Sequence, residues 1–360
     1  DIVIELIGGI EPARTLILAA LKSGASVITG NKALIAAHGP ELYDAAAAAG
    51  TDFYYEAAVA GAIPVVYALR ESMAGDRVTS VLGIVNGTTN YILDEMSTKG
   101  LSFEEALATA QALGYAEADP TADVDGLDAA AKAAILASLS FHTRVGLSDV
   151  QVEGIRSVTA DDIREAHASG CELKLLAIAQ LREDEHARGV SVRVHPALVP
   201  ADHPLASVHG AYNAVLVEAE SAGRLMFYGQ GAGGAPTASA VLSDVVAAAA
   251  HRVYGGRAPR ESSYARLSVL GPEAAVTRYQ IQLRVEDAAG SLAAMAGVFA
   301  DNEVSINSVR QSAYVTRDGA AVVTFVTHPA PVFHLDAAVE GLRDSERVLE
   351  VVSVWRVEGQ

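Results

Sequence analysis

The chain has 360 residues, a formal net charge of −18 and a pI near 4.9. With 51% hydrophobic and only 19% charged residues, it can bury large cores and is expected to divide into two or three domains rather than stay disordered. The acidity excludes nucleic acid and anionic membrane as partners, because nothing would offset repulsion from phosphates. Apolar runs such as Ala131–Ser140 are too short to cross a bilayer.

The first segment alternates strand and helix. The apolar run Ile2–Ile7 closes on Gly8-Gly9, and Pro12 opens a helix through Leu21 at the first-turn position proline tolerates. Ser26–Thr29 reads as the next strand, Pro40–Ala48 as a helix and Asp52–Glu56 as a strand. Short loops between such elements imply parallel strands in a doubly wound sheet. Nothing before Ile2 supplies the first strand and glycine-rich turn of a dinucleotide fold, so residues 1–64 are expected to be a truncated Rossmann-type unit. The true N-terminus is accordingly expected to be missing, and any targeting segment with it.

The middle of the chain is of another kind. A strand Arg77–Val85 precedes helices at about Thr89–Met96 and Phe103–Leu113, the second with a Ser102/Glu105 capping-box pattern. A polar, acidic loop, Gly114–Gly126, leads into the alanine-rich helix Leu127–Phe141. Strands at Gly189–His195, Tyr212–Ala219 and Arg224–Tyr228, with Ser221-Ala222-Gly223 as a hairpin turn, suggest an antiparallel portion. Residues 65–234 thus read as a mixed α/β substrate and dimerisation domain, and a helix over 235–252 is expected to return to the first unit. Residues 255–275, rich in Gly, Pro, Arg and Ser, read as a linker. Strand Arg278–Val285, helix Ser291–Asp301, strands near Ser305–Ser312 and Ala320–Thr327, helix Leu335–Leu342 and strand Val348–Arg356 then give a ferredoxin-like βαββαβ order over 276–357.

Five of the 26 basic residues are lysines: Lys22, Lys32, Lys99, Lys132 and Lys174. Where arginine is the default cation, a lysine in a chemical setting is informative. Asp128 and Lys132 stand i,i+4 on one face of an otherwise apolar helix, with Glu117, Asp119, Asp123 and Asp125 just before them. An arbitrary pair at that spacing is a surface ion pair. A lysine held protonated among acids can instead donate a proton to a carbonyl that accepts hydride. A calcium loop aligned on Gly126 fails, because Thr121 and Lys132 stand where acids are needed. Thr29-Gly30-Asn31-Lys32 ends a strand of the parallel sheet, where ligands sit; a solvated loop lysine is an even rival. Gly229-Gln230-Gly231-Ala232-Gly233-Gly234 matches G-x-G-x-x-G but lacks the later acid, so it is a weak fingerprint and a candidate for close backbone approach. Asn86-Gly87-Thr88-Thr89-Asn90 opens a helix whose amides could hold a carboxylate. The lone Cys171 permits no internal disulfide and reads as a buried structural thiol, and the ten histidines show no metal-ligand spacing.

Taken in order, Glu5-Leu6-Ile7-Gly8-Gly9, Asn31-Lys32-Ala33-Leu34, Gly83–Ile92 and Leu113–Pro120 with Asp128 and Lys132 resemble the homoserine dehydrogenases over nearly the whole chain. The tail resembles the amino-acid-binding ACT domain of many bacterial members. The resemblance implies NAD- or NADP-dependent interconversion of L-homoserine and L-aspartate 4-semialdehyde, in a cytoplasmic homodimer or homotetramer. It makes Lys132 the acid–base residue, Asp128 its partner and Lys32 a second essential lysine. It assigns Glu117, Asp123, Tyr115, Gly87 and Thr88 to substrate, and Gly8, Gly9, Asn31, Lys32, Gly231 and Gly233 to cofactor. Glu56, Val59, Gly61 and Ile63 align with a structural sodium site built mainly of backbone carbonyls. Asp287 and Gly290 mark an effector site, with threonine the expected effector. Two alternatives remain: a catalytically inactive amino-acid-binding fragment without a working dinucleotide site, and another NAD(P)-dependent amino-acid dehydrogenase.

Overall fold

The computed structural model describes residues 1–184, 187–311 and 320–359. The first strand is shorter than its apolar run, Ile2–Glu5, and pairs in parallel with Ser26–Thr29, which pairs in parallel with Phe53–Tyr54. Side chains on a strand alternate between faces, and here each face has its own cover. Val27 and Phe53 join the core under helices Ala13–Lys22 and Lys32–Ala49. Ile28 and Tyr54 meet Val241 and Ala248 of the helix Gly234–Tyr254 on the other side.

Two further boundaries differ from expectation. The second helix starts at Lys32 rather than Pro40, because the Asn31 side chain accepts the Leu34 amide at 3.1 Å and caps it. Pro40 lies inside that helix. The expected strand Asp52–Glu56 also shrinks to two residues, since a 3-10 turn, Glu56–Ala58, takes over at once.

The second sheet runs, by first residues, in the order 306, 320, 276, 348, 188, 171, 78, 212, 223. Its middle part holds Val78–Ile84, Cys171–Glu183, Arg188–Pro200, Tyr212–Ala219 and Gly223–Gln230, joined antiparallel. Cys171–Glu183 was not anticipated: nearly every residue in its first nine is buried, so it lacks the alternation that marks a half-exposed strand. Helix Ala160–Ala168 was missed as well, although Thr159 and Asp162 form a capping box. The expected loop Gly114–Gly126 contains a helical turn, Thr121–Val124.

The helix Leu127–Phe141 organises the molecule. Its alanines let it lie close against Cys171–Glu183, Arg188–Pro200 and Val78–Ile84, and also against helix Lys32–Ala49. A helix apolar on every side belongs in a core, and this one joins the two sheets.

Residues 276–359 contribute strands Val276–Glu286, Ile306–Gln311, Ala320–Thr327 and Val348–Val357 with helices Ser291–Asp301 and Val332–Arg343. Residue 312, placed at the end of a strand by sequence, lies outside the described residues. These elements surround their own core, including Ile281, Phe299, Phe325 and Leu335. The last strand meets the middle sheet in parallel at Val357 and Leu198.

Candidate active site

The start of helix Leu127–Phe141 is where three segments meet. Asp128 is its centre. Its Oδ2 accepts from Lys132 Nζ at 2.7 Å and from Asn86 Nδ2 at 2.9 Å, and its Oδ1 faces Lys32 Nζ at 3.1 Å. Lys132 also donates to the Val85 carbonyl at 2.6 Å. The cap of helix Gly87–Lys99, the first residue of helix Lys32–Ala49 and the alanine-rich helix therefore deliver one group each to the same carboxylate. Both lysines singled out by sequence are here.

Burial disfavours the charge on Asp128, but Lys132 and Lys32, with hydrogen bonds from Lys132 and Asn86, outweigh it and hold the carboxyl below its ordinary range. Asp123 behaves oppositely. Burial, reinforced by the nearby charge of Asp128, raises it above the ordinary aspartate value, although Asn86 Nδ2 donates to its Oδ1 at 2.7 Å.

Asn86 is more than the cap expected of it. Its Oδ1 accepts the Thr89 amide at 2.8 Å, starting helix Gly87–Lys99, while its Nδ2 bridges the two aspartates. Thr88 donates to the Tyr115 carbonyl at 2.7 Å, tying the acidic loop to that helix start. Tyr115 meets Tyr91 with the rings tilted at 49° and their centroids 4.9 Å apart, and Gly87 presses against the Ala211 carbonyl, where a Cβ would come within 2.6 Å. Glu117 stands exposed farther along the loop, and no hydrogen bond joins its carboxylate to this cluster among the described residues.

The glycine segments flank the same point. Asn31 Nδ2 donates to the Gly9 carbonyl at 2.7 Å, which sets the Gly8-Gly9 turn beside Lys32. Gly8 and Gly9 have φ of 82° and 72°, and a Cβ on either would meet nothing within 4 Å, so the space over the turn is open. Buried Glu5 was missed by sequence. Its Oε1 accepts the Ile7 and Gly8 amides and its Oε2 accepts from Thr29, whose hydroxyl accepts the Asn31 amide. On the other side, Asn213 donates to the same Val85 carbonyl that receives Lys132, at 3.0 Å. Gly231 lies so close to Asn213 that a Cβ would come within 2.0 Å of its Cγ. Gly233, with φ 113°, caps helix Gly234–Tyr254. Only long-range contact links Asn213 to this point, and no local signal announces it.

Glu56 and its neighbours form a separate feature. The Glu56 carboxylate accepts the Val66 and Tyr67 amides at 3.0 and 2.8 Å, and its own amide donates to Asp244. Burial pushes Glu56 up to about 7 and Asp244 to about 6. Gly61 meets the Gly231 backbone, and the Ile63 carbonyl accepts the Val65 amide. Asp287 and Gly290 are exposed at the start of helix Ser291–Asp301. No helix among the described residues is long and apolar enough to cross a membrane.

Comparison with known proteins agrees with this geometry. Residues 1–56 match the family model for the homoserine dehydrogenase NAD-binding domain, and residues 64–246 match that for homoserine dehydrogenase. The chain is 57% identical to a homoserine dehydrogenase of Mycobacterium tuberculosis over 363 residues, covering all of this chain and 82% of the relative. It is 55% identical to that of Corynebacterium glutamicum, covering 99% of this chain and 80% of the relative. The crystal structure of a homoserine dehydrogenase from Thiobacillus denitrificans superposes with a TM-score of 0.89 at 40% identity, over 99% of this chain and 82% of that one. An archaeal homoserine dehydrogenase solved in complex with NADPH matches at TM-score 0.60 and 31% identity, over 69% of this chain and 71% of that one. The matches support the dehydrogenase reading and neither alternative. The chain therefore belongs to the homoserine dehydrogenase family, NAD(P)-dependent oxidoreductases of amino-acid biosynthesis.

Proposed function

We propose that Lys132 is the acid–base residue of the interconversion of L-homoserine and L-aspartate 4-semialdehyde, that Asp128 positions it, and that Lys32 completes the site. The observation that carries this reading is the convergence of Lys132, Lys32 and Asn86 on the one carboxylate of Asp128. The nicotinamide dinucleotide supplies or takes the hydride when bound. The residues present fit its reactive end: the open Gly8-Gly9 turn, Asn31 and Lys32 lie on one side of Lys132, and Gly231 lies on the other through Asn213.

In the reducing direction, charge develops on the aldehyde oxygen as hydride reaches the carbon. An ammonium already oriented by Asp128 and the Val85 carbonyl can donate its proton there without first reorganising. In the oxidising direction the same nitrogen takes the proton back from the hydroxyl. Asp123, with Glu117 from the exposed loop, holds the substrate ammonium. Gly87 and Thr88, at the start of helix Gly87–Lys99, meet its carboxylate, and Tyr115 closes one side.

The other assignments form part of the same reading. Residues 1–64 with helix 235–252 would hold the cofactor, 65–234 the substrate and the homo-oligomer contact, and 276–357 an effector such as threonine, joined through 255–275. Support for the effector comes from Gly290, with φ 90° ahead of helix Ser291–Asp301, and from the Ser291 hydroxyl, buried there without a partner among the described residues. A sodium ion takes oxygen ligands. With both Glu56 carboxylate oxygens already accepting amides, the loop would serve it mainly through the carbonyls of Val59 and Gly61. A cytoplasmic enzyme, with ready access to reduced nicotinamide, completes the picture.

The test is Lys132→Ala, followed by oxidation of NADPH and NADH with aspartate semialdehyde. Loss of the proton donor lowers kcat by roughly 10²–10⁴-fold. A kcat within twofold of the parent would remove Lys132 from the chemistry.

A further inference from the structure

A cavity of about 160 Å3 lies away from the lysine–aspartate site, between the C-terminal half of helix Lys32–Ala49, the C-terminal end of Leu127–Phe141 and the irregular run 255–275. Its wall is aromatic. Tyr43, Phe53 and Tyr55 contact one another with ring centroids 5.7–5.9 Å apart, and Tyr264 stacks on His142 at 4.7 Å.

Its charge is unexpected in a chain of net −18. Arg257 and Arg260 line it from exposed coil, and neither makes an ion pair among the described residues. Arg70, also in the lining, lies over the Tyr54 and Tyr55 rings at 5.0 and 5.8 Å. The single acid of the lining, Glu261, is already held by Arg144 Nε and Nη2 at 2.9 and 2.6 Å. Three lining residues carry buried polar atoms without a hydrogen-bond partner among the described residues: Thr51 Oγ1, Arg70 Nε and His142 Nδ1. Native interiors rarely leave such atoms unpaired, and each calls for an explanation.

Small-molecule sites combine apolar walls with a few convergent polar groups. A cavity of roughly 150 Å3 accepts a benzene ring, so this one has room for a single ring with a polar substituent toward its mouth. Guanidinium groups match a carboxylate in geometry and stack on rings. We propose that this cavity binds a small aromatic carboxylate, its ring against Tyr43, Phe53 and Tyr55 and its carboxylate at Arg257 and Arg260. The ligand differs in chemistry from the aliphatic amino acid that the catalytic site takes.

Calorimetric titration of the full chain with benzoate, benzamide and inorganic phosphate, each alone, tests this. Benzoate should bind, and benzamide or phosphate should bind about tenfold more weakly or not at all, since each lacks one of the two recognised features. Joint replacement Arg257→Glu and Arg260→Glu should weaken benzoate by about tenfold or more. Ala47→Trp, filling the cavity from its exposed rim, should abolish binding while circular dichroism and the melting temperature show the fold retained. The proposal fails if benzoate does not bind, if phosphate binds as well as benzoate, or if benzoate affinity survives both sets of replacements.

Discussion

At Asp128 two lysines and an asparagine converge on one carboxylate; at Glu358 an arginine and a threonine converge on another. Glu358 Oε1 accepts from Arg193 Nη2 at 2.9 Å and Thr277 Oγ1 at 2.8 Å, with His195 Nε2 at 3.7 Å. Burial, with Arg356 and Arg193 nearby, pushes His195 well below its ordinary value, so that ring stays neutral. The Arg193 and Glu358 side chains are 2% and 6% exposed. Their charges cancel one for one, and the cluster fastens the last strand to the middle sheet beside the Val357–Leu198 pairing.

The Asp128 cluster is arranged otherwise. Two lysines, Lys132 and Lys32, face two aspartates there, Asp128 and Asp123, and Lys32 remains 40% exposed, leaving a way to solvent. Burying charge is common to both clusters. What distinguishes the cluster proposed to work is its open face, where one of its cations, Lys32, reaches solvent.

That contrast can be broken experimentally. Arg193→Met removes the cation hydrogen-bonded to buried Glu358, which costs about 3–5 kcal/mol of stability in denaturant unfolding, whereas kcat of the folded fraction should hold. A loss of kcat with stability intact would erase the distinction between a joining cluster and a working one. A smaller effect is expected at Gly231→Ala. The added Cβ displaces Asn213 from the Val85 carbonyl and should raise KM for NADPH by about tenfold. Gly229→Ala, whose Cβ would meet only the Ile63 side chain, Cγ1 at 3.3 Å and Cδ1 at 3.9 Å, should stay near the parent.

The subtlest effect is on pH. In the proposed reading Asp123 is charged when it holds the substrate ammonium, and its raised pKa means the charge is lost earlier as pH falls. Asp128, held low, keeps its charge farther down; the stability it contributes is present above the ordinary aspartate value and is lost only as pH falls through its lowered one. The acid limb of kcat/KM should therefore lie above the ordinary aspartate range and belong to Asp123. An unchanged limb in the residual activity of Asp123→Asn would assign it elsewhere.

Much of this site was legible in sequence because its chemistry is local. Asp128 and Lys132 sit i,i+4 on a helix whose ends, Leu127 and Phe141, follow from the apolar run between them. The strands Ser26–Thr29 and Tyr212–Ala219 and the Ser102/Glu105 box were similarly plain. Other features depended on contacts no local pattern encodes. Asn213 reaches Val85 across 128 positions, and Glu5 meets Thr29 across 24. The start at Lys32 was hidden because Gly39-Pro40 looks like a break, while the true signal was the Asn31 cap. The strand Cys171–Glu183 was hidden by its own burial.

The most direct test of the central claim is a double-mutant cycle on kcat with Lys32→Ala, Lys132→Ala and the pair. If both lysines act through one Asp128-centred unit, the double variant loses far less than the product of the two single losses. Losses that multiply would show two lysines working independently, and would contradict the account.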